Sequence, residues 1–234
     1  QTGEEVMGGM GDMYRAWREE RQKKKAGFEI PKSSEVKIQS DLFGHTPTVP
    51  TAMKLRPEIL CHPNIPKPLH GIAPRVIFGQ GWWDVERKKC YEKAGQKCEA
   101  CGTARADAWP NRWLEAHEEY EMDYGIFRFV GVVCLCPACH RFIHSGLRSV
   151  LVEARRMSRI TNASIEMYCE DILKQNDLMD RWLARHDYYA PKWGDHRMLI
   201  DGKFYGPSST DLNGWMDGEW KNWTVVETTN PRDL

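Results

Sequence analysis

Two stretches decide how this chain reads: Cys98-Glu99-Ala100-Cys101-Gly102, and Leu135-Cys136-Pro137-Ala138-Cys139-His140-Arg141-Phe142-Ile143-His144. Two cysteines separated by two residues let both thiolates reach one ion from a tight turn, and two such pairs complete a tetrahedral site. Gly102 and the adjoining histidines strengthen that assignment. The pairs stand about thirty residues apart, more than in a simple zinc ribbon, which leaves room for a β-hairpin between them. Structural zinc on Cys98, Cys101, Cys136 and Cys139 is the expectation. Cys134 lies two residues before Cys136, on the same face of a strand, and is either an alternative ligand or a small buried residue. Cys61, Cys90 and Cys169 are isolated and read as packing residues.

The histidines form a second pattern. His140 and His144 are four residues apart, so on a helix their imidazoles share one face and can share an ion. Arg141 holds the position that Glu takes in an HExxH protease, which excludes that chemistry. His117 sits in Trp113-Leu114-Glu115-Ala116-His117-Glu118-Glu119-Tyr120. Alone it reads as a satisfied core or surface histidine. With HxxxH following a CxxC, it becomes a candidate ligand.

Outward from these motifs, composition bounds the rest. The chain has 234 residues and a formal net charge of zero, so no global positive field draws it to nucleic acid and any such binding rests on local patches. No apolar run approaches the length of a membrane span, and no signal-peptide pattern opens the sequence. The chain begins with Gln1 rather than Met, so the true start was removed or lies upstream, and a cleaved leader stays open. Of eight cysteines, five cluster beside histidines, which favours metal binding in a reducing compartment over a disulfide framework. The ten tryptophans argue for an ordered chain.

Five segments follow. Residues 1–27 hold a basic helix over 13–25, either a solvated helix end or a phosphate-contacting arm. Residues 28–74 carry recurrent prolines, which remove backbone donors and fix φ, and read as an extended strap over this chain or a partner. Residues 75–149 form the zinc domain, entered through a helix over 83–94 that Gly95 ends. Residues 150–186 are helical, with a partly helical apolar stripe from Ile165 to Leu183 that reads as core or interface. Residues 187–234 carry Asp201-Gly202 between two apolar runs, a hairpin signal, and a Trp-rich tail with Trp215, Trp220 and Trp223.

The order CxxCG, then Leu114-Glu115-Ala116-His117-Glu118, then CxxCHxxxH resembles the HNH, or ββα-metal, nuclease family over 75–149. The fold class expected is therefore α+β: a small zinc-bound ββα-metal, treble-clef-like domain with helical and irregular extensions. The resemblance implies His117, His140 and His144 as ligands of a catalytic divalent ion (Mg²⁺, Mn²⁺, Ni²⁺ or Zn²⁺). It places Glu118 at the general-base position, where the family usually has His. Aligned on the family's Asp-His form instead, His117 is the base and Ala116 falls where a ligand belongs. The family's middle Asn has no counterpart, and Gly131 or a neighbour stands there.

In the family's mechanism a base activates water against a phosphodiester while the ion stabilises the developing charge. An unperturbed Glu titrates near ~4.3, a weak base at neutral pH unless burial raises it. Arg112, Arg128, Arg141 and Arg148 are candidates to neutralise phosphate and the acidic run from Glu118 to Asp123. The expected function is metal-dependent DNA cleavage through Glu118, His117 and His140. The alternative is a catalytically inactive, zinc-stabilised module that binds nucleic acid or a protein partner through the strap and the Trp-rich tail. A short domain with idiosyncratic flanks also resembles small HNH proteins of phages and mobile elements, which implies work in a bacterial cytoplasm. A redox role for Cys134 and Cys136 lacks a thioredoxin-like βαβ setting.

Overall fold

Residues 53–233 are described by the computed structural model. The expected basic helix in 1–27, and the strap up to residue 52, lie outside them. In the rest of the strap, prolines start tight turns instead of extended chain. Pro57–Cys61 and Lys67–Leu69 are short 3-10 turns, each with Pro in its first positions, where a missing N–H costs nothing. Their apolar side chains are core: Ile59 and Leu60 are fully buried.

Helix α1 spans Pro74–Lys93. Pro74 opens it with φ already set. Gly79 breaks it at φ 84, so its second half corresponds to the helix read from 83–94. Its end is local chemistry. Gly95 and Gln96 take φ of 58 and 57, and their N–H groups reach back to Glu92 O at 3.0 Å and Tyr91 O at 2.9 Å, satisfying carbonyls the helix leaves open.

Strands β1 (Glu115–Asp123) and β2 (Ile126–Leu135) form the hairpin between the cysteine pairs. Their turn is Tyr124-Gly125, with φ of 39 and 89, the two left-handed residues of a tight type I′ connection. Gly125 is fixed twice over. Its N–H donates to Tyr188 O at 2.6 Å, and a Cβ on it would stand 2.6 Å from Ala190 Cβ. Gly125→Ala is therefore expected to cost about 2–4 kcal/mol, from the left-handed backbone and the overlap together. The urea midpoint reads this, and a wild-type midpoint would show that the tip does not dock as described.

Four helices follow: α2 (Pro137–Ile143), α3 (Ser145–Glu153), α4 (Arg159–Gln175) and α5 (Met179–Leu183). The helical pattern read over 163–186 is thus two helices. Asp177 at φ 55 separates them, and Leu178 N–H returns to Leu173 O at 2.9 Å, a closing motif that ends α4. The apolar stripe is core at Ile165, Leu173 and Trp182, while Tyr168 and Leu183 stay exposed.

Strands β3 (Arg197–Ile200), β4 (Lys203–Pro207) and β5 (Val225–Thr228) complete a five-stranded sheet in the order β1-β2-β3-β4-β5, with helix α6 (Leu212–Met216) between β4 and β5. The expected hairpin turns at Asp201-Gly202, both left-handed. β3 runs parallel to β2, with Phe127 opposite Met198, and α2 to α5 lie in the connection between them. A larger core gathers the cysteine pairs, the strap turn, α2 and α4. A smaller one centres on Tyr120, Phe127 and Met198. The Trp-rich tail covers this chain's own strap. Trp215 and Trp220 each lie 5.9 Å from His70, and Lys67 Nζ sits 4.6 Å over Trp215. Among the described residues no helix is long and apolar enough to cross a membrane. The architecture is mixed α+β.

Candidate metal centre

The first cysteine pair sits on a turn that its glycine permits. Gly102, at φ 78, donates to Cys98 O at 2.8 Å, and Cys98 N–H donates to Thr103 O at 2.9 Å. The second pair straddles the start of α2, with Cys136 at its N-cap and Pro137 behind it. Glu99 ties the two together. Its N–H donates to Cys134 O at 2.8 Å, and its carboxylate accepts from Cys134 N–H at 2.8 Å. The ligand atoms of Cys98, Cys101, Cys136 and Cys139 consequently lie within 4.8 Å of one another.

This set fits a tetrahedral ion. An ion about 2.3 Å from four sulfurs would hold them about 3.8 Å apart, and Cys101 Sγ to Cys136 Sγ is 3.8 Å. The sulfurs also share protons unevenly. Hydrogen bonding with Cys136 holds the Cys101 thiol far below its ordinary range, and the same contact pushes Cys136 far above it. A divalent cation removes that conflict by stabilising all four as thiolates. The four cysteines can therefore hold a metal ion such as zinc. Cys134 stands outside the group. It is fully buried and its thiol is pushed up by burial, which is the behaviour of a packing residue.

The histidines meet one residue further on. His117 comes from β1, His140 from α2, and His144 from just past the end of α2, where its N–H still donates to His140 O at 3.2 Å. Their ligand atoms lie within 4.8 Å of one another, and ring centroids are 5.4, 4.9 and 4.7 Å apart. His117 is buried, and its Nδ1 has no hydrogen-bond partner. Burial, reinforced by the neighbouring His140 and His144, pushes the His117 ring well below its ordinary pKa. Burial and His140 push His144 down to about 4. Both rings are thus neutral at physiological pH, the form that ligates metals.

Residues that sequence reasoning missed surround this cluster. Glu115, two residues before His117, places Oε2 2.5 Å from His140 Nδ1. The strand period of two supplied that signal. His62, from the strap, lies 6.0 Å from His117 and is pushed by burial to about 4. Arg56 grips both carboxylate oxygens of Glu119 and also approaches Glu99, with Nη1 3.6 Å from Oε2. No local pattern marked either residue.

The structure brings His117, His140 and His144 together but leaves Glu118 out. Strand alternation sends Glu118 to the opposite side of β1 from His117, where its charge acts on Tyr120. Gly131 pairs with Glu119 beside a bulge in the hairpin. Among the arginines expected to meet phosphate, Arg148 is buried, with Nη2 3.3 Å from Glu166 and Nη1 3.0 Å from Asn162 Oδ1, so it bridges α3 and α4 instead. Arg128 is exposed and 3.9 Å from Glu121. Exposed Arg75 was not anticipated, and its charge reaches His144.

These features define a mixed α+β protein with a four-cysteine centre able to hold an ion such as zinc, and a three-histidine cluster adjoining it in the chain. Against family models, curated proteins and solved structures the chain matches nothing. The functional reading therefore rests on the site itself.

Proposed function

We propose that this protein is a metal-dependent DNA endonuclease of the HNH, ββα-metal kind, with structural zinc on its four cysteines and a second divalent ion on His117, His140 and His144. The observation that carries the proposal is the convergence of three imidazoles from a hairpin strand and the helix that follows it, adjoining a four-cysteine centre in the chain. The cysteine centre fastens the turn at 98–102 to the start of α2, so the histidines are placed before any substrate arrives. A divalent ion there supplies a lowered pKa for bound water and charge stabilisation on phosphoryl oxygens.

The chain's own groups divide the remaining work. Buried His117 and half-buried His144, both neutral, present lone pairs at no protonation cost. Arg75, exposed and within electrostatic reach of His144, offers a phosphate oxygen a cation. The carboxylates on the His117 side of β1 are engaged, Glu115 with His140 and Glu119 with Arg56. Glu118 would have to cross its strand to accept a proton at the cluster. No disulfide joins the eight cysteines, in keeping with a reducing bacterial cytoplasm and the phage or mobile-element origin that belongs to the same reading.

The position of Glu118 favours a second reading, a catalytically inactive module that uses only the zinc and binds nucleic acid or a protein. A plasmid-nicking assay separates the two, run in EDTA and then with Mg²⁺, Mn²⁺, Ni²⁺ or Zn²⁺. The nuclease nicks with at least one ion and loses about 10²-fold or more in His140→Ala. Absence of nicking with every ion, with one tightly held zinc per chain, would select the binding module.

A further inference from the structure

We propose that Glu115 is the positioning residue of the histidine cluster: it accepts a hydrogen bond from Nδ1 of His140 and so turns the Nε2 lone pair of His140 to the ion. The proposal rests on the ion-binding reading of the cluster and deepens it.

The geometry is direct. Glu115 Oε2 lies 2.5 Å from His140 Nδ1. Its other oxygen accepts from Trp113 Nε1 at 2.8 Å, so the carboxylate is held from both ends. An ionised carboxylate only accepts, so Nδ1 must carry the proton of the bond. In a neutral imidazole that leaves Nε2 as the lone-pair nitrogen.

Strand geometry explains why one short segment does both jobs. Residues two apart on β1 point the same way, so Glu115 and His117 face the helix together. β1 thereby presents one ligand, His117, and the group that orients a second, His140. An anionic acceptor behind an imidazole also raises the basicity of its free nitrogen, and offsets positive charge where three imidazoles meet a cation. His117 and His144 have no such carboxylate among the bonds of the described residues. Glu115 therefore acts at one ligand rather than as general packing.

The test uses the full chain with zinc on its cysteines and ¹⁵N-labelled histidine. Two-bond ¹H–¹⁵N correlation reads the tautomer of His140 without a second ion. Co²⁺ titration, followed by visible absorption, reads the affinity of the cluster. Wild type is expected to show His140 as the Nδ1–H tautomer. Glu115→Ala is expected to shift it toward Nε2–H and to weaken Co²⁺ binding about 10–100-fold, with zinc content unchanged. Glu115→Gln keeps an amide oxygen as acceptor and is expected to fall between the two, which simple loss of packing would not produce. Equal Co²⁺ affinity in wild type and Glu115→Ala, or an Nε2–H His140 in wild type, overturns the assignment of Glu115. Wild type that takes no Co²⁺ beyond its zinc overturns the cluster as an ion site, and the role of Glu115 toward an ion with it.

Discussion

Cys139→Ser is expected to abolish zinc binding and, with it, cooperative unfolding. Cys139 is fully buried, and the other three cysteines surround it within the larger core. Its loss leaves three sulfurs that cannot all be thiolates in so small a space, and a serine hydroxyl is a poor substitute ligand for zinc. Structural zinc contributes about 10–16 kcal/mol in small zinc-binding peptides, while a whole domain is stable by only about 5–15 kcal/mol. The loss is therefore large enough to unfold the region the ion ties together: the turn at 98–102, the end of β2, and α2. Metal analysis should find no zinc at this centre, and near-UV circular dichroism should show a broad urea transition. Cys134→Ala is the matched comparison. It removes a buried sulfur from the same strand end without touching the four, and should retain full zinc. A sharp, wild-type urea transition in zinc-free Cys139→Ser would show that the core holds without the ion.

The second large effect is expected at Phe142→Ala. Phe142 lies on α2 between His140 and His144 and is almost fully buried. Its ring stacks on Trp182 of α5, with centroids 5.7 Å apart and planes at 23°. The Arg148 guanidinium lies 5.7 Å from the Phe142 centroid on α3's side. Truncation removes the stack and leaves a cavity that helices held on several sides cannot fully close, a loss of about 3–5 kcal/mol. For a unit of this size that corresponds to roughly 10 °C in Tm. Zinc should stay, because no ligand is touched, but the histidines should lose definition because α2 loses its main apolar anchor. Val150→Ala, at an exposed position of α3, is expected to stay within about 0.5 kcal/mol of wild type. If Phe142→Ala melts with wild type, the stack on Trp182 does not hold α2.

What could be read from the chain alone was local. The CxxC pairs are a spacing rule, and the spacing survives into three dimensions because a turn and the first turn of a helix each hold two sulfurs close. The end of α1 at Gly95 and the hairpin at Asp201-Gly202 are backbone rules, written in residues that tolerate positive φ. The separation of His117 from Glu118 was also readable, since neighbours on a strand point apart. The family resemblance placed them at one site regardless.

Other features had no local mark. Nothing near Ile59 or Leu60 announces that a proline-rich strap is core, because burial depends on what the rest of the chain brings to it. Arg148 resembles any surface arginine until α4 sets Glu166 and Asn162 against it. The parallel pairing of β2 with β3 joins segments separated by four helices, and no short window contains both. The sequence by itself determined the candidate ligand residues and the turns that present them, since these rest on bond geometry over a few residues. Only the tertiary structure decided which charges are buried, which carboxylate stands behind His140, and which side of β1 faces the site, since these depend on contacts between segments far apart in the chain.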